Sequence, residues 1–563
     1  MGNLYLGNSG LRVASSSLNT TAHNITNADT DGYTRQQVSL ATSVYNTLSK
    51  TDNAIGYTQV GLGVTYAETR QVRDYFLDVN FRKESGRSAF YETSVDALNH
   101  VEDILGESTG GETFANSMDN LWTAVQELIK DPCNEVNQNL LVTRAYEFMS
   151  RADNVYTSLC DYQLNLNTTI KDSVNDINKL AHRLEDLNIA IMKIESGGVE
   201  HANDLRDERN FIIDQIAGYG AVEWKEDLDG YVSMQLEGTD LVKGGIVHDL
   251  SLYQDPQTEF YTVYWSQNAR YMFNGEGERV VDPASVPDAV VFDLSKPISS
   301  DLNTDIGSLK AALYARGDHN ATYKDVADQF TYVGNGIDQS VLMNVEAEFD
   351  SLIHNITTAI NGILVDAADR ASAAYPDSTY LKNSDGGYLQ IFELKTGDTA
   401  IAPLKQPATP AEQEAYDKKM QEYWDGFTTS NIRINMDLRQ SPSMLGFRLD
   451  DGQEDIETMR ALSDAFTDEK YTLNPSVTTP VNFNSFYNAL VSQVSSSGSV
   501  YTIIKDAQDM TISSIDSARE QILGVNTDEE LTYMIQFQNA YNAASRFINV
   551  VDEMLEHLLT SLS

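Results

Sequence analysis

Three side chains spaced three apart, His201, Asp204 and Asp207, pair an imidazole with two carboxylates, a donor set that a divalent metal accepts. Three ligands at that spacing leave a metal site incomplete, and the run reads as a solvated, charged helix face. Asp227-x-Asp229-Gly230 matches the opening of a calcium loop, but the later ligand positions are missing, and a hairpin turn accounts for it. Gly61-x-Gly63 lacks the third glycine and the preceding buried strand of a dinucleotide site. Glu529-Glu530 has the residue types of a glycosidase pair, but a chain with 83 acidic residues places such pairs by composition, and these two lie where carboxylates complement a helix start. Asn24-Ile25-Thr26 fits a glycosylation pattern only formally. No Ser/His/Asp or Cys/His arrangement stands out. The residues therefore nominate no catalytic group, no metal site and no cofactor site, and the expected function is structural.

The bulk composition agrees. A chain of 563 residues with 41% hydrophobic content is too long for one core and too apolar for wholesale disorder. Its 39 basic and 83 acidic residues give a formal charge of −44, which repels nucleic acid and anionic membrane surfaces. No apolar run approaches the length that spans a bilayer, so membrane insertion is not expected. The N-terminus shows no basic segment followed by an apolar run, so no cleaved signal peptide is expected. Cys133 and Cys160 rule out a disulfide framework and read as free thiols.

With no chemistry to position, the elements themselves carry the argument. Leu4, Gly7, Leu11, Ala14, Leu18, Thr21, Ile25 and Ala28 form a thin heptad stripe. Turn residues Asp29-Thr30-Asp31-Gly32 follow, and residues 33–80 read as extended chain with short strands. Helix returns over 70–130, where Phe114, Met118, Leu121, Val125 and Leu128 repeat at 4-3-4-3. A long helix over 138–196 carries Leu141 through Leu166 in register, slips near Ile170 and Val174, and resumes from Ile177 to Ile194. The slip reads as a stutter that relaxes supercoiling. Residues 220–300 read as strands and turns, 305–365 as helix, and 366–430 as a Pro- and Ala-containing surface excursion or small insertion. The C-terminus has the strongest pattern: Met534, Phe537, Tyr541, Ala544, Ile548, Val551, Leu555 and Leu558 follow 3-4-3-4-3-4-3.

The fold class expected is α+β and multidomain. A long helical bundle or coiled-coil core is formed by both chain ends, with a β-rich domain inserted. Residues 1–60 and 510–563 are assigned to a terminal coiled-coil domain, mobile in the isolated monomer because a thin helix is marginal alone. Residues 61–200, 305–365 and 431–509 are assigned to a long-helix bundle, 201–304 to the β-rich insertion, and 366–430 to the excursion. The expected assembly interface is Leu4, Leu11, Ala14, Leu18, Ile25, Met534, Phe537, Tyr541, Ala544, Ile548, Val551, Leu555 and Leu558.

Residues 17–38, SSLNTTAHNITNADTDGYTRQQ, resemble the N-terminal motif of the flagellar axial proteins, the rod, hook and hook-associated family. The matching positions are Leu18, Asn24, Ile25, Asn27, Thr30, Gly32 and Tyr33, and Arg35-Gln36 points to the hook-associated branch at the hook–filament junction. Asp31 stands where that family often has Pro; Asp also suits a turn. Gly61-Leu62-Gly63-Val64, Arg70, Asp74, Phe76-Leu77, Arg82, residues 230–242, Gly307-Ser308-Leu309-Lys310 and Gly524-Val525-Asn526 match in family order. So do Asp528-Glu529-Glu530 and Phe537-Gln538, Ala540-Tyr541 and Ala543. The resemblance implies a ring of identical subunits on the hook, supporting filament assembly and motility, with contacts to hook protein and the second junction protein. It also implies type III export without a cleaved signal and an export chaperone on the C-terminal helix. The alternatives are a hook or distal-rod subunit and, from another class, a secreted carbohydrate-active enzyme carried on flagellar-type ends. A Trp-lined cleft in 220–300 or 366–430 would favour the enzyme.

Overall fold

In the computed structural model, residues 2–43, 46–49, 58–106, 113–197, 200–275, 277–397, 401–403 and 409–562 are described. Helix α1 (Gly2–Thr26) leads into antiparallel strands β1 (Gln36–Thr42) and β4 (Val64–Gln71), which flank the small pair β2 (Asn46–Ser49) and β3 (Thr58–Val60). The extended segment ends sooner than its composition implies. Asp74 accepts hydrogen bonds from Phe76 N and Leu77 N and starts α2 (Tyr75–Leu105), so 75–80 is helical. Next come α3 (Phe114–Lys130), α4 (Glu135–Glu195, capped by Asn134) and α5 (Asn203–Ala217). Helix α5 makes the opening of the expected β-rich segment helical. Only then do β5 (Val222–Glu226), β6 (Val232–Leu236), β7 (Thr239–Lys243) and β8 (Ile246–Val247) form a four-stranded antiparallel meander. The two-stranded pairs β9 (Leu250–Gln254) with β10 (Tyr261–Trp265) and β11 (Tyr271–Phe273) with β12 (Arg279–Val281) follow.

The stutter in α4 has a structural cause. Phe148, Ala152, Val155, Leu159 and Leu166 lie in one large core, built with α3 and the later helices. Ile170, Val174, Ile177, Ala181, Leu184 and Leu187 lie in a second core, with Ile212, Ile213 and Ile216 of α5 and Met234, Leu236 and Trp265 of the sheets. The phase shifts where one helix passes from one core to the other, and Ala181 takes the buried place while Leu180 packs at the margin. Ile194, expected on the same stripe, is exposed. The β-rich segment is thus a partner of the second half of α4 rather than a separate core.

Residues 305–365 are helical in part: α6 (Ser308–Arg316) and the start of α8 (Val341–Ala374) are joined through turns and the short α7 (Gln329–Gly334). Residues 366–430 are not a surface excursion. After α8 ends at Ala374, Tyr388, Leu389, Ile391, Phe392, Tyr423 and Phe427 insert into the large core. Strand β13 (Phe392–Leu394) pairs with β14 (Ile432–Ile434) across α9 (Pro410–Trp424). Irregular backbone gave no periodic signal although its side chains are core. The chain continues through α10 (Met436–Gln440) and α11 (Ile456–Thr467) to α12 (Phe483–Leu523) and α13 (Thr527–Leu562). Helix α12 runs unbroken through the expected boundary at 509/510, and the β1–β4 pairing spans the one at 60/61.

Helices α2 and α12 lie antiparallel. Ser88 Oγ donates to Asp509, Gln508 Nε2 to Glu84, and Tyr487 OH to Leu105 O. Helices α1 and α13 form a second antiparallel pair at the end of the first. Among the described residues no helix is long and apolar enough to cross a membrane.

Candidate assembly joint at the foot of the terminal helices

Between the two helix pairs the chain must turn twice, after α1 and between α12 and α13, and both turns meet in one place. Gly524 N closes α12 on Glu520 O at 2.9 Å, and Asn526 Oδ1 opens α13 by accepting from Asp528 N and Glu529 N at 3.1 and 3.2 Å. A Cβ on Gly524 would stand 2.4 Å from Glu520 O, which is why that link needs glycine. On the other side, Asn27 Nδ2 donates to His23 O and caps the end of α1. Gly32 then takes φ +77°, a left-handed conformation costly for a β-branched residue. A Cβ there would also meet Phe211 of α5 at 3.2 Å.

The residues after Gly32 tie everything together. Asn24, 1% exposed, uses its whole amide: Oδ1 accepts from Tyr33 OH at 2.8 Å and Gln36 N at 3.0 Å, and Nδ2 donates to Gln36 O at 2.9 Å and Glu530 Oε2 at 3.1 Å. Arg35 Nε donates to Glu530 Oε1 at 2.9 Å, its Nη1 reaches Glu529 at 3.2 Å, and its backbone N donates to Leu523 O at 2.8 Å. Glu530 is only 3% exposed, and Arg35 together with Asn24 satisfies the buried charge. Thr34 N donates to Asp207, and Gln36 Nε2 to Asp204, which moors the loop on α5. Gln71 Nε2 also donates to Asp207, at 2.7 Å. Burial pushes the Asp207 carboxyl up to about 6. Burial, and then the nearby aspartates, push the Tyr33 phenol well above its usual range.

The acids at 204 and 207 therefore hold a loop. His201 precedes α5 and faces Glu68 at 3.3 Å. Among the described residues no group of three or more His, Cys, Asp or Glu is arranged to hold a metal. Asp227 Oδ1 caps the turn before Gly230, accepting from Asp229 N and Tyr231 N. Gly63, at φ +96°, lets β4 approach Ser9 of α1.

Above the joint, the face of α1 toward α13 is made of small residues. Gly7, Gly10, Ala14, Ser17, Thr21 and Asn24 follow 3-4-3-4-3. A Cβ on Gly7 would stand 2.6 Å from Ile548 Cγ1, and one on Gly10 would stand 3.6 Å from Ala544 Cβ. Of the expected interface on α1, Ala14 is buried in this seam, Leu11, Leu18 and Ile25 are half-buried beside it, and Leu4 is exposed. On α13, Met534, Phe537, Tyr541, Ala544, Ile548 and Val551 are half-buried, while Leu555 and Leu558 are 42% and 54% exposed beyond the reach of α1. Sequence reasoning missed Gly10, Ser17 and Glu530. A small-residue period on α1 and a pair of acids placed at a helix start were the signals available.

Residues 98–369 match the family model described as the flagellar hook-associated protein FlgK helical domain, and residues 521–561 the one described as the flagellar basal body rod FlgEFG protein C-terminal. The chain is 25% identical over 556 residues to flagellar hook-associated protein 1 of Bacillus subtilis, covering 98% of this chain and 96% of that protein. It is 22% identical to the proteins of the same name from Escherichia coli and Salmonella typhimurium, with 98% of each chain covered. The flagellar hook junction protein FlgK structure from Burkholderia pseudomallei shares its fold, with a TM-score of 0.53 at 11% identity over 78% of this chain and 99% of that one.

Proposed function

Since this chain belongs to the family of flagellar hook-associated proteins, we propose that its terminal helix pair is the element by which subunits join, with the joint at its foot fixing the angle of that pair. Membership makes the chain a structural, non-enzymatic component of the flagellum outside the cell, working in an assembly with hook and filament components. It leaves no support for the carbohydrate-active enzyme. The finer reading is a ring of identical subunits seated on hook protein and carrying the second junction protein. Export through the type III apparatus without a cleaved signal, and a chaperone on α13 before assembly, belong to the same reading.

One observation carries it. The apolar stripe of α13 continues past the end of α1, so Leu555 and Leu558 stay exposed in the single chain although they continue a stripe that α1 covers lower down. A soluble chain leaves such a stripe open where another surface will cover it. The division into a terminal pair, a helical body and a β-rich segment is proposed on the same footing, with residues 366–430 belonging to the body. Electron micrographs of hook–filament tips labelled for this protein test the placement. Label in a narrow band at the junction is expected, and label distributed along the hook or confined to the basal rod would replace this reading with the hook or distal-rod alternative.

A further inference from the structure

Helix α12 is held in two different ways along its length. Phe483, Phe486, Tyr487, Leu490 and Val494 sit in the large core, but between Gly498 and Leu523 no residue of α12 is fully buried. Half-buried side chains and polar bonds to α2 keep that stretch in place. Arg519 stands near its end, about one helical turn before Leu523.

The Arg519 side chain is 11% exposed and lies between carboxylates from two different helices. Its Nε donates to Asp78 of α2 at 3.1 Å and its Nη2 to Asp214 of α5 at 3.0 Å, with the guanidinium 3.9 Å over the Phe81 ring. Each carboxylate is fixed from behind. Arg73 grips Asp78 through Nε and Nη2, both at 3.0 Å. Arg82, buried and 3.9 Å over Trp224 of β5, donates to Asp214 from Nε. A planar guanidinium between two fixed acceptors is locked in angle as well as in distance.

Helix α5 is in turn seated on the β-rich segment. Ile212, Ile213 and Ile216 lie in the second core beside Met234 and Leu236, and Arg209 Nη1 donates to Gly230 O at 2.7 Å. Its end is pinned as well. Ser308 N donates to Gly218 O at 2.9 Å, and a Cβ on Gly86 of α2 would stand 2.6 Å from Ala217 O. On the side of the joint, Asp207 of α5 accepts from Thr34 N at 3.2 Å, whereas the next amide, Arg35 N, donates to Leu523 O of α12 at 2.8 Å. Two neighbouring amides therefore report on α5 and on α12 separately.

We propose that Arg519 is the positioning residue that registers the far end of α12 on α5, so that the β-rich segment sets where α12 ends and the angle at which α13 leaves it. This rests on the reading of the joint as the element that fixes that angle. A helix resting on one neighbour can roll about the line of contact. A bond to a second neighbour, away from that line, removes the freedom.

The test is hydrogen exchange resolved to single amides in the unassembled full-length chain, so its failure is distinct from a failure of the placement at the junction. R519M keeps an apolar stem near Phe81 and removes the bridge. It is expected to speed exchange at the Arg35 amide by about ten- to a hundredfold, the equivalent of lost hydrogen bonds to charged groups, while the Thr34 amide stays as in wild type. Q508A removes a bond between α12 and α2 without touching α5, and it should leave both amides unchanged. Unchanged exchange at Arg35 in R519M overturns the proposal. Equal acceleration of both amides also overturns it, because Arg519 would then support the joint as a whole, and so does a Q508A chain that matches R519M. If R519M does not fold, D214N weakens the same bridge from the α5 side and is read at the same two amides with the same outcomes.

Discussion

Asn24 and Glu530 are 506 positions apart in sequence and are joined by a hydrogen bond of 3.1 Å in the fold. Glu530 also receives Arg35, so one carboxylate fastens α1, the loop after it and α13. Elsewhere α1 brings glycine and other small residues to the seam, which permit close approach but specify little register. A single buried polar pair is the device known to fix register in paired helices.

Glu530→Ala is therefore expected to loosen the terminal pair locally. Losing charge-assisted hydrogen bonds to a buried carboxylate costs roughly 1.5–3 kcal/mol. Hydrogen exchange should accelerate over residues 4–26 and 527–551 while the melting of the body stays unchanged. Unaltered protection in both helices would show that the seam alone holds them.

Gly32→Val should disturb the joint more than the body. The residue sits at φ +77°, and a Cβ would press on Phe211 at 3.2 Å. The cost is about 1–2 kcal/mol for the backbone alone. Circular dichroism should remain near wild type, whereas junction formation and motility should fall. A variant that assembles normally would remove the turn from the assembly argument.

Leu555→Asp should leave the monomer folded and block incorporation. Leu555 is exposed in the single chain, so an aspartate there stays hydrated until a partner covers it. On assembly the substitution forfeits about 1.5–3 kcal/mol of Leu burial and adds the cost of burying a carboxylate, in every subunit. Thermal melting should match wild type while swimming is lost. A globally unfolded variant would make this stretch ordinary core.

Cys160 should resist alkylation in the native chain. Both cysteines are free, and burial pushes the Cys160 thiol up to about 12. The reactive thiolate is therefore scarce at pH 8 and grows only as pH approaches that value. Mass spectrometry of native and urea-unfolded protein should show Cys160 labelled slowly in the first and promptly in the second. Equal rates would mean that α4 opens readily at that point.

What the sequence made legible was what repeats. Within the α13 stripe, Ala544 and Ile548 meet Gly10 and Gly7 of α1, and the members from Met534 to Val551 are all half-buried, as one face of a helix turned toward another must be. The motif around Asn24 and Gly32 was recognisable by resemblance, but what it binds was not. Glu530 looked like one acid among 83, since burial leaves no mark in residue type. Tyr388, Phe392 and Phe427 were equally hidden: side chains on irregular backbone reach the core without a period, and Pro and Ala around them resembled a surface loop. On α1 the leucine-bearing stripe included Gly7 but passed over Gly10, the other glycine that comes close to α13.

The link at Gly524-Val525-Asn526 also has a mechanical reading. Helix α13 extends 36 residues beyond it, about 54 Å at 1.5 Å per residue. A tilt of about 5° at the link would carry the far tip sideways by about 5 Å, close to one turn of helix. The bonds from Arg35 and Asn24 to Glu530 act on the short arm of that lever, where tenths of an ångström set the angle. The tip, with Leu555 and Leu558, is on the long arm, where the same angle becomes a displacement large enough to miss a neighbour.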